Sequence, residues 1–203
     1  MAIKIKELDE SIYLISTTKA DKRRLGDFLL RFQEHFESPE FAGKIFTLGQ
    51  YREWYTKKRG TFSYSEDWVG FNFPSSVLKP FVDGLFDPLT KDETKIVDFF
   101  RNKEGDFYVI GANDPSAMDH EICHGMYFVN GEYRDAMLKA MEPFLQRDDV
   151  SRFLEEIRKH YAEVNVMDEL HAYHAVKNAE SLFGVEVIND LRQELLAVRK
   201  KFE

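Results

Sequence analysis

Short apolar and alternating stretches predict the strands of a small sheet. Residues 3–8 (IKIKEL) alternate apolar with charged side chains, and residues 11–17 (SIYLIST) are rich in β-branched and aromatic side chains. Residues 61–74 (TFSYSEDWVGFNFP) carry aromatic side chains at alternating positions, which predicts a strand or a hairpin. Residues 107–112 (FYVIGA) form an apolar run of strand length.

Apolar side chains recur at helical spacing through most of the remaining chain. Local signals mark several boundaries: Thr90 is a predicted cap, and Pro115 begins a helix with Asp114 as its N-cap. Asn130 and Gly131 interrupt the helical pattern after that helix. Helices are predicted over residues 20–37, 48–58, 90–102, 115–129, 132–145, 149–161, 167–183 and 187–202.

These elements predict a helix-rich α+β fold with a small, mostly antiparallel sheet. No linker rich in Pro, Gly or Ser divides the 203 residues, so we expect one domain over residues 1–203. Residues 1–112 would hold the strands and the first helices, and residues 113–203 would be helical.

Composition narrows the environments and partners that the chain can have. The net charge of −8 argues against nucleic acid and anionic membrane surfaces as partners, because both are negatively charged and bind positively charged protein surfaces. The sequence has no apolar run of membrane-spanning length, and its first residues are too charged for a signal peptide. One cysteine cannot form an internal disulfide, so we expect a reducing compartment and a cytoplasmic location.

The predicted helix over residues 115–129 carries the sequence HEICH, with His120 and His124 one helical turn apart. Both imidazoles would project from one face and can bind the same divalent ion. Glu121 lies about 100° round the helix, within reach of a metal-bound water. The competing interpretation is that both histidines are ordinary polar residues with hydrogen-bond partners. An apolar stripe roughly opposite the histidines would pack on the core: Met118, Ile122, Met126 and Val129.

HEICH resembles the H-E-x-x-H motif of the zinc metallopeptidases, the zincins. The resemblance implies a zincin-like domain whose metal site lies in residues 113–203. It implies one zinc ion per chain, bound by His120 and His124, and Glu121 as the general base that activates a metal-bound water. In zincins a strand at the sheet edge lies beside the motif helix and binds extended substrate, and FYVIGA is similar to that strand in order and spacing.

A catalytic zinc site usually has a third protein ligand. No histidine occurs in GMYFVNGEY after the motif, which excludes the metzincin arrangement. The segment DELHAYH is similar to the gluzincin pattern E-x-x-[SA]-D, which implies Glu169 as the third ligand. Tyr173 stands where that pattern has an aspartate that supports a histidine. Asp168, His171 and His174 are alternative ligands, and a solvated helix without a metal is the remaining interpretation of this segment.

The expected function is zinc-dependent hydrolysis of a peptide or amide bond in a peptide or protein substrate. The oxyanion of such a reaction needs a hydrogen-bond donor. Two alternatives stay open: a non-haem iron enzyme with a site of two histidines and one carboxylate, and a catalytically silent binding or regulatory protein with a zincin-like scaffold. The sequence offers several oxyanion donors without distinguishing among them: Tyr127, His160, His171, Tyr173 and His174.

Two further features are interpreted as structural. Cys123 lies inside the motif and near the apolar stripe, so it is expected to be a small buried thiol. The basic runs KKR (residues 57–59) and RKK (residues 199–201) lie at the ends of predicted helices, where cations are favourable to the helix dipole.

Overall fold

A mixed sheet of four strands in the order β1-β2-β4-β3 organises the fold. The computed structural model describes residues 3–9, 11–17, 25–112, 115–176 and 184–203. Strand β1 (Lys4–Asp9) pairs antiparallel with β2 (Ile12–Ser16), and β2 pairs parallel with β4 (Tyr108–Ala112). Strand β3 (Gly70–Pro74) pairs antiparallel with β4. The α+β prediction is confirmed, and the parallel pairing of β2 with β4 makes the sheet mixed.

The sheet corrects the edge position implied for FYVIGA and decides between the two forms predicted for residues 61–74, which contain a strand. FYVIGA is similar to a zincin edge strand, but β4 lies inside the sheet between β2 and β3. Its apolar composition fits this position, because an internal strand covered on both faces is apolar throughout. Residues 61–74 do not form a hairpin: a short helix, α3 (Tyr64–Asp67), precedes β3, and β3 is an edge of the sheet.

Helices make up most of the remaining described chain, as the apolar periodicity predicts. Parts of the predicted helices over residues 20–37 and 167–183, and the predicted cap Asp114, lie outside the described residues. Short 3₁₀ segments follow β3 and separate some of the later helices. The other helices are α1 (Leu25–Glu37), α2 (Leu48–Arg59), α4 (Lys79–Val82), α5 (Lys91–Phe100), α6 (Pro115–Val129), α7 (Gly131–Met141), α8 (Asp148–His160), α9 (Val166–Ala175) and α10 (Asn189–Arg199).

Side-chain caps account for several helix boundaries. Thr47 and Thr90 each form a capping box at the start of α2 and α5, and both satisfy backbone N–H groups of the first turn. Gly60 follows α2 with a φ of 86°, a left-handed conformation that glycine adopts without a steric penalty. The Asn130 side chain accepts a hydrogen bond from the N–H of Tyr133 and begins α7.

The described chain has two large hydrophobic cores, and the motif helix α6 packs between the sheet and the second of them. One core is rich in aromatic side chains and packs α1, α2 and α5 around the sheet. The other joins α7, α8, α9 and α10. Met118, Ile122 and Met126 of the predicted stripe pack towards Ile12 and Tyr108 of the sheet. The opposite side of α6 therefore faces α9, which sets the position of the two histidines. None of the helices in the described ranges has both the length and the apolar character of a membrane span.

Candidate metal centre

His120 and His124 project from adjacent turns of α6 towards Glu169 on α9. Their Nε2 atoms lie 3.0 Å apart. Glu169 Oε2 lies 3.8 Å from Nε2 of His120, and Oε1 lies 3.6 Å from Nε2 of His124. One ligand atom from each of the three residues lies within 4.8 Å of the others, and this buried group could hold a metal ion. The sequence-predicted ligands are thus brought together across two helices.

Asp168 contacts the other nitrogen of the His124 ring. Its Oδ2 lies 2.9 Å from His124 Nδ1. A carboxylate beside Nδ1 favours the tautomer that carries its proton there, which leaves the lone pair of Nε2 for a cation. Asp168 thus occupies the position beside His124 Nδ1 from which a carboxylate can orient the ring. The chemistry of the donor set, two imidazole nitrogens and one carboxylate, fits a divalent ion such as zinc.

His171 and His174 have hydrogen-bond partners away from the three-residue cluster. Nε2 of His171 lies 2.9 Å from the Tyr133 hydroxyl, and its Nδ1 lies 3.4 Å from Asp168 Oδ1. Nδ1 of His174 lies 2.8 Å from the carbonyl oxygen of Leu170, and its Nε2 accepts a hydrogen bond from the N–H of Ile188. Both imidazoles are completely buried, so they are satisfied core histidines in this structure.

Glu121 is buried beside the histidines and against strand β3. Its Oε2 atom has no hydrogen-bond partner. A Cβ atom added to Gly70 would lie 2.0 Å from Glu121 Oε1, so only glycine leaves room for this carboxylate. The importance of Gly70 was missed in the sequence, although a glycine inside a strand pattern is a recognised sign that another group approaches the backbone closely.

The histidines, Glu121 and Glu169 open onto a cavity of about 340 Å³. Tyr173 stands on one side of it, with its ring 4.7 Å from the ring of His120. The Tyr173 hydroxyl lies 3.0 Å from that of Tyr161, which also lines the cavity. Residues 67–70 and Asn72 bring the start of edge strand β3 to the same cavity. The cavity therefore combines the candidate metal ligands, an unpaired carboxylate oxygen and phenol hydroxyls.

Burial and mutual interaction shift the pKa values of these groups. Burial raises the pKa of Glu121 to about 7, while His124 and Asn72 lower it less. Burial opposes ionisation of Asp168 too, but contacts with His124 and His171 lower its pKa to about 2. Burial and the neighbouring His124 lower the pKa of His120 well below its usual value. Asp168 is therefore a permanent anion at neutral pH, and His120 is neutral.

Arg199 from α10 joins the two helices that carry the cluster. Its Nη2 donates to Asp119 on α6 at 2.6 Å, and its Nη1 donates to the carbonyl oxygen of Ala175 on α9 at 2.9 Å. Nη1 also lies 3.2 Å from Cys123 Sγ. Cys123 is completely buried, and burial raises the pKa of its thiol to about 12. The expectation of a small buried thiol is thereby confirmed.

The positions of the five candidate oxyanion donors distinguish Tyr173 from the other four residues. Tyr173 lines the cavity that contains the cluster. The ring of Tyr127 stacks on His171, with the two centroids 5.0 Å apart, and neither residue lines that cavity. His160 lines a second, smaller cavity, and His174 is buried in the helical core. Of these five residues, Tyr173 alone combines a hydroxyl with a place beside the histidine pair.

Comparisons of the chain with protein-family models, with curated proteins and with solved structures found no match. A functional assignment must therefore rest on the site itself. The strongest facts for it are the convergence of His120, His124 and Glu169, and the buried Glu121 beside them.

Proposed function

We propose that this protein is a zinc-dependent hydrolase, similar to the metallopeptidases, that cleaves a peptide or amide bond. The observation that carries the proposal is the convergence of His120, His124 and Glu169 within 4.8 Å at a cavity that also receives Glu121. These three residues would hold one zinc ion. When bound, the ion would lower the pKa of a coordinated water towards neutrality and polarise the scissile carbonyl group.

Glu121 is the proposed general base. It neighbours His120 in sequence but lies on a different side of α6, over Gly70, and it is not one of the three converging ligands. Its unpartnered Oε2 can accept a proton from the attacking water and return it to the leaving nitrogen. Gly70 leaves room for the carboxylate, since Oε1 of Glu121 occupies the space that a Cβ atom would take.

Tyr173 is the proposed donor to the developing oxyanion. Its ring lies against His120, so its hydroxyl belongs to the same cavity wall as the metal ligands. Tyr161 contacts that hydroxyl with its own, and Tyr161 is therefore a positioning residue for Tyr173. A donor aligned before the reaction stabilises negative charge with little reorganisation in the transition state.

A polypeptide substrate is favoured by the position of β3. This strand is an edge of the sheet, and its first residue Gly70 lines the cavity together with residues 67–69. The N–H of Asn72 already donates to Oε1 of Gln33 at 2.6 Å, so backbone pairing with an extended peptide would be confined to the start of the strand at Gly70. Such pairing would bring a backbone carbonyl of the peptide past the histidine pair.

Metal analysis and hydrolysis test the proposal together. Wild type purified without added ions should contain about one zinc per chain by mass spectrometry, and His124→Ala and Glu169→Ala should lose it. Glu163→Ala, an exposed glutamate just before α9, is the matched control and should retain the metal. Glu121→Gln should bind zinc yet lose peptide hydrolysis by at least about 100-fold.

Other results would contradict the proposal. Iron in place of zinc would favour the non-haem iron alternative. Full hydrolysis by Glu121→Gln would refute its role as the base. Zinc bound without hydrolysis of any peptide in a broad library would favour a binding or regulatory protein.

A further inference from the structure

A second cavity adjoins the metal cavity and has several basic side chains on its lining. Its volume is about 40 Å³, and it shares Gln33, Glu37, Trp68 and Tyr161 with the larger cavity. The rings of Trp68 and Tyr161 meet edge to face with centroids 6.5 Å apart, where the two cavities adjoin. The basic residues on the second cavity are Lys58, Arg59, Lys159 and His160.

These cations come from the ends of two helices that meet at the cavity. Lys58 and Arg59 belong to the last turn of α2, and Lys159 and His160 belong to the last turn of α8. The sequence explains the basic run at residues 57–59 by a helix dipole, but that explanation does not require the ends of α2 and α8 to share one cavity. Their convergence concentrates positive charge locally in a chain whose net charge is −8.

The cations differ in how far their charge is already neutralised. Nζ of Lys159 lies 2.6 Å from Oε2 of Glu156, and His160 contacts the same glutamate. Nζ of Lys58 lies 4.9 Å from the centre of the Trp54 ring, a cation–π contact that positions the ammonium without cancelling its charge. Lys58 and Arg59 therefore supply most of the positive potential at this cavity.

The two cavities differ in their basic side chains. Besides its two histidines, the ionisable side chains on the metal cavity are acidic, with no lysine or arginine among its described lining residues: Asp67, Glu121, Glu169 and Glu37, of which Glu37 also lines the second cavity. A ligand that spans both cavities would thus meet acidic side chains and the candidate metal ligands at one end. At the other end it would meet basic side chains that can bind an anion.

The buried floor of the second cavity limits the charge that a ligand can carry. Glu34 and Glu37 lie there. Burial raises the pKa of Glu34 to about 7 against hydrogen bonds from Tyr64, Tyr51 and Ser38, and burial also raises the pKa of Glu37 well above its usual value. Part of the Glu34 population is therefore protonated at neutral pH, which reduces its repulsion of an anion. A cavity of about 40 Å³ above an acidic floor suits a small singly charged carboxylate better than a doubly charged phosphate.

We propose that the second cavity binds a carboxylate of an acidic polypeptide segment, held by Lys58 and Arg59. The role of that segment as a substrate rests on the proposed function, because its neutral backbone would then reach the metal cavity past Trp68 and Tyr161. The carboxylate subsite itself needs neither a bound metal nor hydrolysis.

The chain contains a direct optical reporter for this cavity. Both of its tryptophans, Trp54 and Trp68, line the second cavity, so intrinsic fluorescence responds to what binds there. The probes are acetylated triglutamate amide and its neutral match, acetylated triglutamine amide. We expect saturable binding of the triglutamate at least about tenfold tighter than that of the triglutamine, which corresponds to about 1.4 kcal/mol.

Charge-matched double variants locate the binding. Lys58→Gln/Arg59→Gln should weaken triglutamate binding about tenfold and leave triglutamine binding unchanged. Lys200→Gln/Lys201→Gln removes the same charge from the exposed basic run after α10 and should bind triglutamate like the wild type. Equal affinity for both peptides, or equal weakening by both double variants, would overturn the subsite.

Further experiments distinguish a carboxylate from a phosphate ligand. They also distinguish the carboxylate subsite from the proposed hydrolase function. Inorganic phosphate that binds as tightly as triglutamate would overturn the assignment to a carboxylate. Zinc-dependent hydrolysis of Glu-containing and Gln-containing peptides at equal kcat/KM would overturn the substrate preference while supporting the hydrolase. Selective triglutamate binding by a protein that holds no metal would support the subsite while refuting the hydrolase.

Discussion

Nδ1 of His124 lies 2.9 Å from Oδ2 of Asp168, and this contact directs the opposite ring nitrogen towards Glu169. Asp168→Asn should therefore weaken zinc binding by about 10- to 100-fold without abolishing it, because the ligands remain and only their support is lost. Competition with a chromophoric chelator measures the affinity. Asp135→Asn, an exposed aspartate on α7, is the control, and an affinity equal to that control would contradict the supporting role.

Gly70→Ala should separate metal binding from hydrolysis. The added methyl group would lie 2.0 Å from Glu121 Oε1 and displace the proposed base, while the metal ligands come from other elements. We expect unchanged zinc content and a loss of hydrolysis of about 100-fold. In Gly49→Ala the nearest atom to the new Cβ is 3.8 Å away, so that variant should keep its activity. Full activity of Gly70→Ala would show that Glu121 can move without consequence.

Tyr173→Phe should lower kcat by about 100-fold with little change in KM, because an oxyanion donor acts mainly in the transition state. Tyr161→Phe should have a smaller effect in the same direction, since it only positions the Tyr173 hydroxyl. Tyr127→Phe is the control, because its ring stacks on His171 away from the metal cavity. A larger loss from Tyr127→Phe than from Tyr173→Phe would reassign the donor.

A buried ion pair between Arg31 and Glu93 ties α1 to α5. Nη2 of Arg31 lies 2.5 Å from Glu93 Oε2, and both side chains are almost completely buried. Glu93→Gln leaves an uncompensated buried guanidinium, so the free energy of unfolding in urea should fall by about 3 to 5 kcal/mol. Asp92→Asn breaks the partly exposed pair with Lys95 and should cost about 1 kcal/mol or less. Similar losses in both variants would argue against an energetic difference between the two pairs.

Glu34 makes stability depend on pH. Its pKa is raised from 4.5 to about 7 by burial, against hydrogen bonds from Tyr64, Tyr51 and Ser38 and the charge of Lys58. The folded state therefore binds the proton more tightly, and this contribution to stability is lost as the pH rises from about 4.5 to about 7.

The pH dependence is tested on Glu34→Gln. Relative to wild type, the change in unfolding free energy between pH 4.5 and pH 8 should shrink by about 3 kcal/mol. Other buried acids contribute to the slope of unfolding free energy against pH in the wild type. The difference in this slope between the two proteins is therefore the quantity to compare. Glu40→Gln replaces an exposed glutamate and should leave the slope unchanged. An unchanged slope in Glu34→Gln would show that this carboxyl does not retain its proton on folding.

Local signals made much of the secondary structure predictable. Thr90, Gly60 and Asn130 act through backbone groups within a few residues, so their effect on a helix boundary is visible in the sequence. The relation between His120 and His124 was predictable for the same reason, because helix geometry alone places them one turn apart.

Long-range packing decided the features that the sequence did not predict. Strand β4 became internal because β2 and β3 both pair with it, and pairing partners distant in the chain leave no local signal. His171 and His174 looked like possible ligands, yet their rings meet Tyr133 and the N–H of Ile188 in the helical core. The choice between ligand and core histidine depended on how α9 packs, which periodicity alone does not specify.

Arg199 comes later in the chain than the residues of α6 and α9 that it contacts. It contacts Asp119 on the motif helix and the end of α9 at Ala175, so both ligand-bearing helices are synthesised before the guanidinium that joins them. During translation the three candidate metal ligands would leave the ribosome before the guanidinium that joins their helices. The candidate ligands are thus synthesised before Arg199 can align their helices. A chain that ends before Arg199 would lack this contact between α6 and α9.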